Sequence, residues 1–122
     1  MAKKILIIDD DSTTRRMLTH CLTAAQYAVT CASDGREGLT RICEEKPDLI
    51  ILDVLMPQMD GYTFLRTLRR DELNAVIPVI VLTAKDRMQD LFGFEGIGKE
   101  DYLIKPYKPE ELLAKINSKL SI

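Results

Sequence analysis

Asp9-Asp10, Asp53, Thr83 and Lys105 each stand where an aliphatic run stops, and that shared placement is what could give them chemistry. Carboxylates side by side repel and resist joint ionisation unless a cation sits among them. Oxygen ligands with room for waters suit Mg²⁺, a hard octahedral ion that keeps part of its hydration shell. A lysine and a hydroxyl beside such a cation complete a site for a dianionic phosphoryl group. Taken singly, each residue has a plainer reading. A strand-end Asp caps a helix or is solvated, Asp9-Asp10-Asp11 is a charged turn, Thr83 is an N-cap and Lys105 a solvent lysine. Their joint placement after four different strands favours the pocket.

The elements that must position them follow from hydrophobic patterning. Asp48-Leu49-Ile50-Ile51-Leu52-Asp53 is apolar at every position between its acids, as suits a central parallel strand covered on both faces. Pro57 forbids its continuation as a ladder. Lys4 to Asp9 has the same form, and Ser12 is expected to cap a helix with Met17, Leu18, Cys21, Leu22 and Ala25 on its apolar face. A short strand is expected over Ala28 to Cys31, then a Ser33-Asp34-Gly35 turn. A helix from about Arg36 to Glu45 follows, with Leu39, Ile42 and Cys43 inward and Pro47 ending it. Phe64, Leu65 and Leu68 mark a third helix after Met59-Asp60-Gly61. Pro78 to Leu82 is a fourth strand ending on Thr83, and a fourth helix is expected from about Asp86 to Phe94. Asp101 to Ile104 is a fifth strand, and Pro109 opens the last helix, with Leu112, Leu113, Ile116 and Leu120 inward. Five strands alternating with five helices predict a doubly wound parallel sheet, in which ligands bind outside the carboxyl ends of the strands.

The whole chain narrows the function classes. Its 122 residues are a single-domain length, and a net charge of −2 leaves no basic footprint for nucleic acid. No apolar run reaches membrane-spanning length and no signal-peptide pattern follows Met1, so a cytoplasmic protein is expected. Cys21, Cys31 and Cys43 are an odd count without C-x-x-C spacing and read as small buried hydrophobes. His20 has no partner at metal-ligand spacing and reads as a surface or packing residue.

IIDDDST at residues 7–13, LDVLMPQMDG at 52–61, VLTA at 81–84 and DYLIKPY at 101–107 carry a family resemblance. In order and spacing, over essentially the whole chain, they resemble the receiver domain of two-component response regulators. The resemblance implies one receiver domain over residues 1–122, with a flavodoxin-like fold of strand order 2-1-3-4-5. It implies that Asp53 accepts a phosphoryl group from a sensor histidine kinase or phosphotransfer protein. Asp10, Asp53 and the backbone carbonyl of Leu55 would bind Mg²⁺, with Asp9 acting through a metal-bound water. Lys105, Thr83 and the Ala84 backbone N–H would contact the phosphoryl oxygens, and the peptide before Pro106 would be cis. Tyr102 would turn inward with Thr83 on phosphorylation and reshape the face of the fourth helix, fifth strand and fifth helix. That face would control an output protein or domain and leaves homodimerisation open. Neither nucleic acid nor membrane would be bound directly, and catalysis would be confined to the domain's own phosphorylation and dephosphorylation. Leu55 offers no side chain to orient an attacking water, which predicts slow dephosphorylation. The competing readings are a pseudo-receiver that binds without being phosphorylated, a flavin-binding module, and a hydrolase of the haloacid-dehalogenase type. The hydrolase needs a second acid where Leu55 stands.

Overall fold

Residues 4–8 and 49–53 form two short strands, and side chains on both of their faces are buried. They are β1 (Lys4–Ile8) and β3 (Leu49–Asp53) of a computed structural model that describes residues 2–53, 60–84 and 101–120. The remaining elements are α1 (Ser12–Ala24), β2 (Ala28–Ala32), α2 (Gly35–Glu44), α3 (Asp60–Arg70), β4 (Val79–Ala84), β5 (Asp101–Lys105) and the C-terminal helix α4 (Pro109–Leu120). All strand pairs are parallel and the sheet order is β2-β1-β3-β4-β5. This is the flavodoxin-like arrangement expected, with four helices among the described residues. The helix expected over about 86–94 lies outside them.

Alternation along the strands divides the apolar residues between two layers. Leu6, Ile8, Ile50, Leu52, Val79 and Val81 face Ile42 of α2 and Phe64, Leu65 and Leu68 of α3. Ile5, Ile7, Leu49, Ile51, Ile80 and Leu82 face Leu18 and Leu22 of α1 and Leu112 and Ile116 of α4. The edge strand β2 alternates between covered and open positions, as a strand with only one neighbour can.

Several local expectations are corrected. The cap of α1 is Asp11, not Ser12: its carboxylate accepts from the Thr13 N–H at 3.1 Å and the Thr14 hydroxyl at 2.8 Å, which makes Ser12 the first helical residue. Met17 is 66% exposed and Cys43 is exposed, so neither lies inward. Cys21 and Cys31 are only half-buried, and Cys31 Sγ lies 3.2 Å from the Thr19 hydroxyl. His20 is exposed, as one of its two readings had it. Asp34 caps α2 by accepting from the Glu37 N–H at 2.8 Å, and Glu37 accepts in return from the Ser33 N–H at 2.6 Å.

Gly38 sets how closely α2 lies on the sheet. A methyl group there would stand 2.6 Å from Ile8 Cδ1 and 3.2 Å from Phe64 Cε1. Ile8 and Phe64 are fully buried and have little room to yield. Gly38→Ala gains about 1 kcal/mol of helix propensity, but overpacking costs about 1–3 kcal/mol. A net loss on the order of 1 kcal/mol is expected, read as a lower urea midpoint; a higher midpoint would show that α2 can lift off.

Candidate functional site

The sheet registers bring the strand ends together. Ile8 pairs with Leu52, so Asp9 and Asp53 leave β1 and β3 side by side. Asp53 pairs with Leu82, the residue before Thr83, and Ala84 pairs with Lys105 across β4 and β5. Lys105 Nζ reaches back to Asp53 Oδ2 at 2.9 Å. Asp9, Asp53 and Thr83 are 1%, 6% and 0% exposed, and are the buried polar side chains of the described residues. Three of the four expected strand ends therefore meet a buried acid or hydroxyl, and the fourth supplies the cation.

Asp9 is the residue under electrostatic load. Its Oδ1 accepts from the Asp11 N–H at 2.8 Å, while the buried Oδ2 has no hydrogen-bond partner among the described residues. Burial pushes its carboxyl up to about 7 and the Asp53 carboxylate adds to this; the Asp11 N–H and Lys105 pull the other way without cancelling it. The phenol of Tyr107, two residues past Lys105, is also raised, first by burial and then by the charges of Asp9, Cys21 and Asp53. The acid pair thus reaches across to the start of the segment leading into α4.

Asp10, by contrast, is exposed. Among the described residues no three His, Cys, Asp or Glu side chains are grouped to hold a metal. The convergence of acids amounts to the pair Asp9–Asp53, with Asp10 on the loop beside it. Leu55 lies outside the described residues. The peptide between Lys105 and Pro106 is cis. Tyr102 is half-buried and packs against the cluster that contains Leu52 and Val81.

The donor set nevertheless fits a hard divalent cation. Two adjacent carboxylates, one with a buried oxygen that no described residue hydrogen-bonds, are what such an ion neutralises. Sequence reasoning passed over two residues that hold Asp9 in place, Asp11 and Arg15. Asp11 could have been found as the polar residue one step before the first helical position. Arg15 Nη1 donates to the Asp9 carbonyl at 2.7 Å, a contact with a backbone atom for which no residue pattern gives a sign.

The sheet thus gathers a carboxylate pair and a lysine at its carboxyl edge, where doubly wound folds place their sites. Residues 5–117 match the response regulator receiver domain, and the chain belongs to that family of two-component signalling modules. It is 44% identical, over 96% of its length, to the DNA-binding dual master transcriptional regulator RpaA of Synechocystis, of which it covers 48%. It thus spans about half the length of the curated relatives it matches. Among solved structures it is similar to the chemotaxis protein CheY4 of Vibrio cholerae. That likeness has a TM-score of 0.88 at 33% identity and covers 98% of this chain and all of the other, 100%. It is also similar to the receiver domain of the sensor histidine kinase PA1611 of Pseudomonas aeruginosa, with a TM-score of 0.88 at 28% identity, both chains being covered at 100%. That structure has a magnesium ion coordinated in its active-site cleft. Among the described residues of the present chain, no helix is long and apolar enough to cross a membrane.

Proposed function

We infer that Asp53 is the phosphoacceptor of this domain and that Asp9, Asp10 and the Leu55 carbonyl serve, with Asp53, a Mg²⁺-dependent transfer from a phosphohistidine donor. One observation carries the reading: Lys105 Nζ lies 2.9 Å from Asp53 Oδ2 in the same pocket as the unsatisfied Asp9 Oδ2. Phosphoryl transfer needs positioning and charge neutralisation more than covalent chemistry from the protein. A bound Mg²⁺ supplies charge neutralisation that a lysine alone does not.

The chain's own residues do the rest. A carboxylate oxygen of Asp53 forms the bond to phosphorus while the bond to the donor nitrogen breaks, leaving an acyl phosphate. Lys105, already in contact with Asp53, exchanges that carboxylate oxygen for a phosphoryl oxygen as the negative charge moves outward. Thr83, one residue beyond the Leu82 that pairs with Asp53, offers its hydroxyl, and the Ala84 N–H follows it. The domain turns over no external substrate beyond its own phosphorylation and dephosphorylation. Its donor is a sensor histidine kinase or phosphotransfer protein in the cytoplasm. Its readers are an output protein or domain docking on the face that includes β5 and α4, where Tyr102 reports the phosphorylated state.

Incubation with acetyl phosphate should add one phosphoryl mass to the intact protein when Mg²⁺ is present and none when it is chelated. Hydroxylamine should displace the phosphate by attack on the acyl carbon, replacing the phosphoryl mass with the smaller increment of a hydroxamate. Without a polar side chain at position 55 to orient water, the adduct should persist for minutes to hours, on the order of 20–23 kcal/mol of barrier. Failure to gain mass removes the reading; a half-life of a few seconds removes only the assignment to Leu55.

A further inference from the structure

Asp9 is fastened at three of its four polar atoms. Its N–H donates to the Ala32 carbonyl at 3.1 Å, and its Oδ1 accepts from the Asp11 N–H at 2.8 Å. Its carbonyl accepts from Arg15 Nη1 at 2.7 Å, which leaves Oδ2 as the atom without a hydrogen-bond partner among the described residues. The first bond continues the pairing of β1 with β2, and the second belongs to the turn that caps α1. The third is different in kind, because a long side chain from inside α1 turns back to hold a backbone oxygen six residues upstream.

Arg15 is not needed to start α1, which Asp11 already caps. Nor is it an exposed cation: its side chain is half-buried, beside two acids from different elements. The Asp11 carboxyl is held below its usual range mainly by the Thr14 hydroxyl and the Thr13 N–H, and Arg15 adds to this. The Glu37 carboxyl is held down mainly by Ser33, and Arg15 adds there too. One guanidinium therefore ties α1 to the acid loop after β1 and adds a positive charge felt by Asp11 and Glu37. Its planar fork suits this better than an ammonium would.

We propose that Arg15 is a positioning residue for the acid site: by holding the Asp9 carbonyl it fixes the peptide plane there, and so aims Oδ2 into the space beside Asp53. The proposal rests on the reading of that space as a divalent-cation site. Partners one bond removed from a metal ligand commonly alter affinity by about 10–100-fold when lost. The sign separates positioning from bulk electrostatics. A cation near an acidic pocket repels Mg²⁺, so deleting Arg15 for its charge alone should tighten binding. Deleting a positioning residue should weaken it.

The test is a Mg²⁺ titration of the purified protein, followed by amide chemical shifts, for wild type, Arg15→Met and the exposed-neighbour control Arg16→Met. Arg15→Met is expected to raise the Kd about tenfold, while Arg16→Met leaves it unchanged or lowers it. An unchanged or lowered Kd in a folded Arg15→Met protein overturns the proposal. Should Arg15→Met not fold, Arg15→Lys decides: a Kd raised a few-fold despite the retained charge supports positioning, and a wild-type Kd overturns it. A second readout needs no metal. Hydrogen exchange of the Asp11 amide, which donates to Asp9 Oδ1, should accelerate in Arg15→Met relative to the core amides. If wild type binds no Mg²⁺, the cation reading fails, and the Asp11 amide alone then decides whether Arg15 holds the loop.

Discussion

Asp53→Asn is expected to abolish phosphoryl uptake from acetyl phosphate, a fall of at least about a thousandfold, as for loss of a covalent nucleophile. The amide matches the carboxylate in shape, so β3 and its pairing with β1 and β4 should survive the change. What it lacks is nucleophilicity and charge. The carboxylate is already a weak nucleophile, and Lys105 at 2.9 Å holds a charge that an amide does not carry. Neither buried neighbour can take over. Asp9 is 1% exposed, with Oδ1 tied to the Asp11 N–H and its carbonyl tied to Arg15, so it cannot turn to meet a donor. Thr83 is fully buried. Intact mass under conditions that saturate the wild type checks the result. Full labelling of Asp53→Asn would place the acceptor elsewhere and remove the proposed function.

The strands that carry these residues were legible because burial on both faces leaves no room for polar residues between the ends. β1 and β3 read as unbroken aliphatic runs, and a run that stops on an acid locates that acid at a sheet edge. Helix faces were harder to read. Leu39, Ile42 and Cys43 fit a helical stripe, yet the buried positions of α2 are Gly35, Gly38 and Ile42. Gly38 brings the helix backbone down onto Ile8, so the contact line runs through a residue without a side chain and Cys43 rotates out. Met17 was misplaced for a related reason: Leu18 and Leu22 cover the sheet by themselves, leaving Met17 beyond the contact. Within the site, the acids were legible as a group but not their ranking. Asp9 keeps one more bond to β2, through its N–H and the Ala32 carbonyl, and that bond draws it under cover while Asp10 stays exposed. A one-residue difference in where pairing ends leaves no mark on composition or period. Arg15 was illegible altogether, because a carbonyl oxygen has no residue type.

In the metal-free protein, Asp9→Asn is expected to raise stability at about pH 8 by on the order of 2–4 kcal/mol, with the gain fading as the pH falls toward 4. The carboxyl stands near 7 in the fold against an ordinary value of 3.8. The folded state therefore holds a proton that the unfolded chain has lost throughout that interval. Stability from this group falls as pH rises from about 4 to about 7 and is flat above. At about 1.4 kcal/mol for each tenfold change, the upper figure is the whole difference and the lower allows for the charge shared with Asp53 and Lys105. Asparagine removes the charge without removing the support, because its Oδ1 can still accept from the Asp11 N–H. Its amide nitrogen, in the place of the unsatisfied Oδ2, can donate to the neighbouring carboxylate. Urea unfolding of both proteins with a chelator present, at the two ends of that interval, isolates the contribution of the acid pair as a difference, since carboxylates remote from it titrate alike in both. Mg²⁺ should narrow the difference between the two proteins. A ligand at a hundred times its Kd stabilises the native state by about 2.7 kcal/mol, and Asp9→Asn should forfeit much of that gain along with the acid. A variant more stable than wild type without the metal, and less responsive to it, would show that the carboxylate pair is kept at a cost to the fold because a cation, not the protein, is what satisfies it. Equal stability at both pH values would mean that Asp9 is already neutralised within the chain.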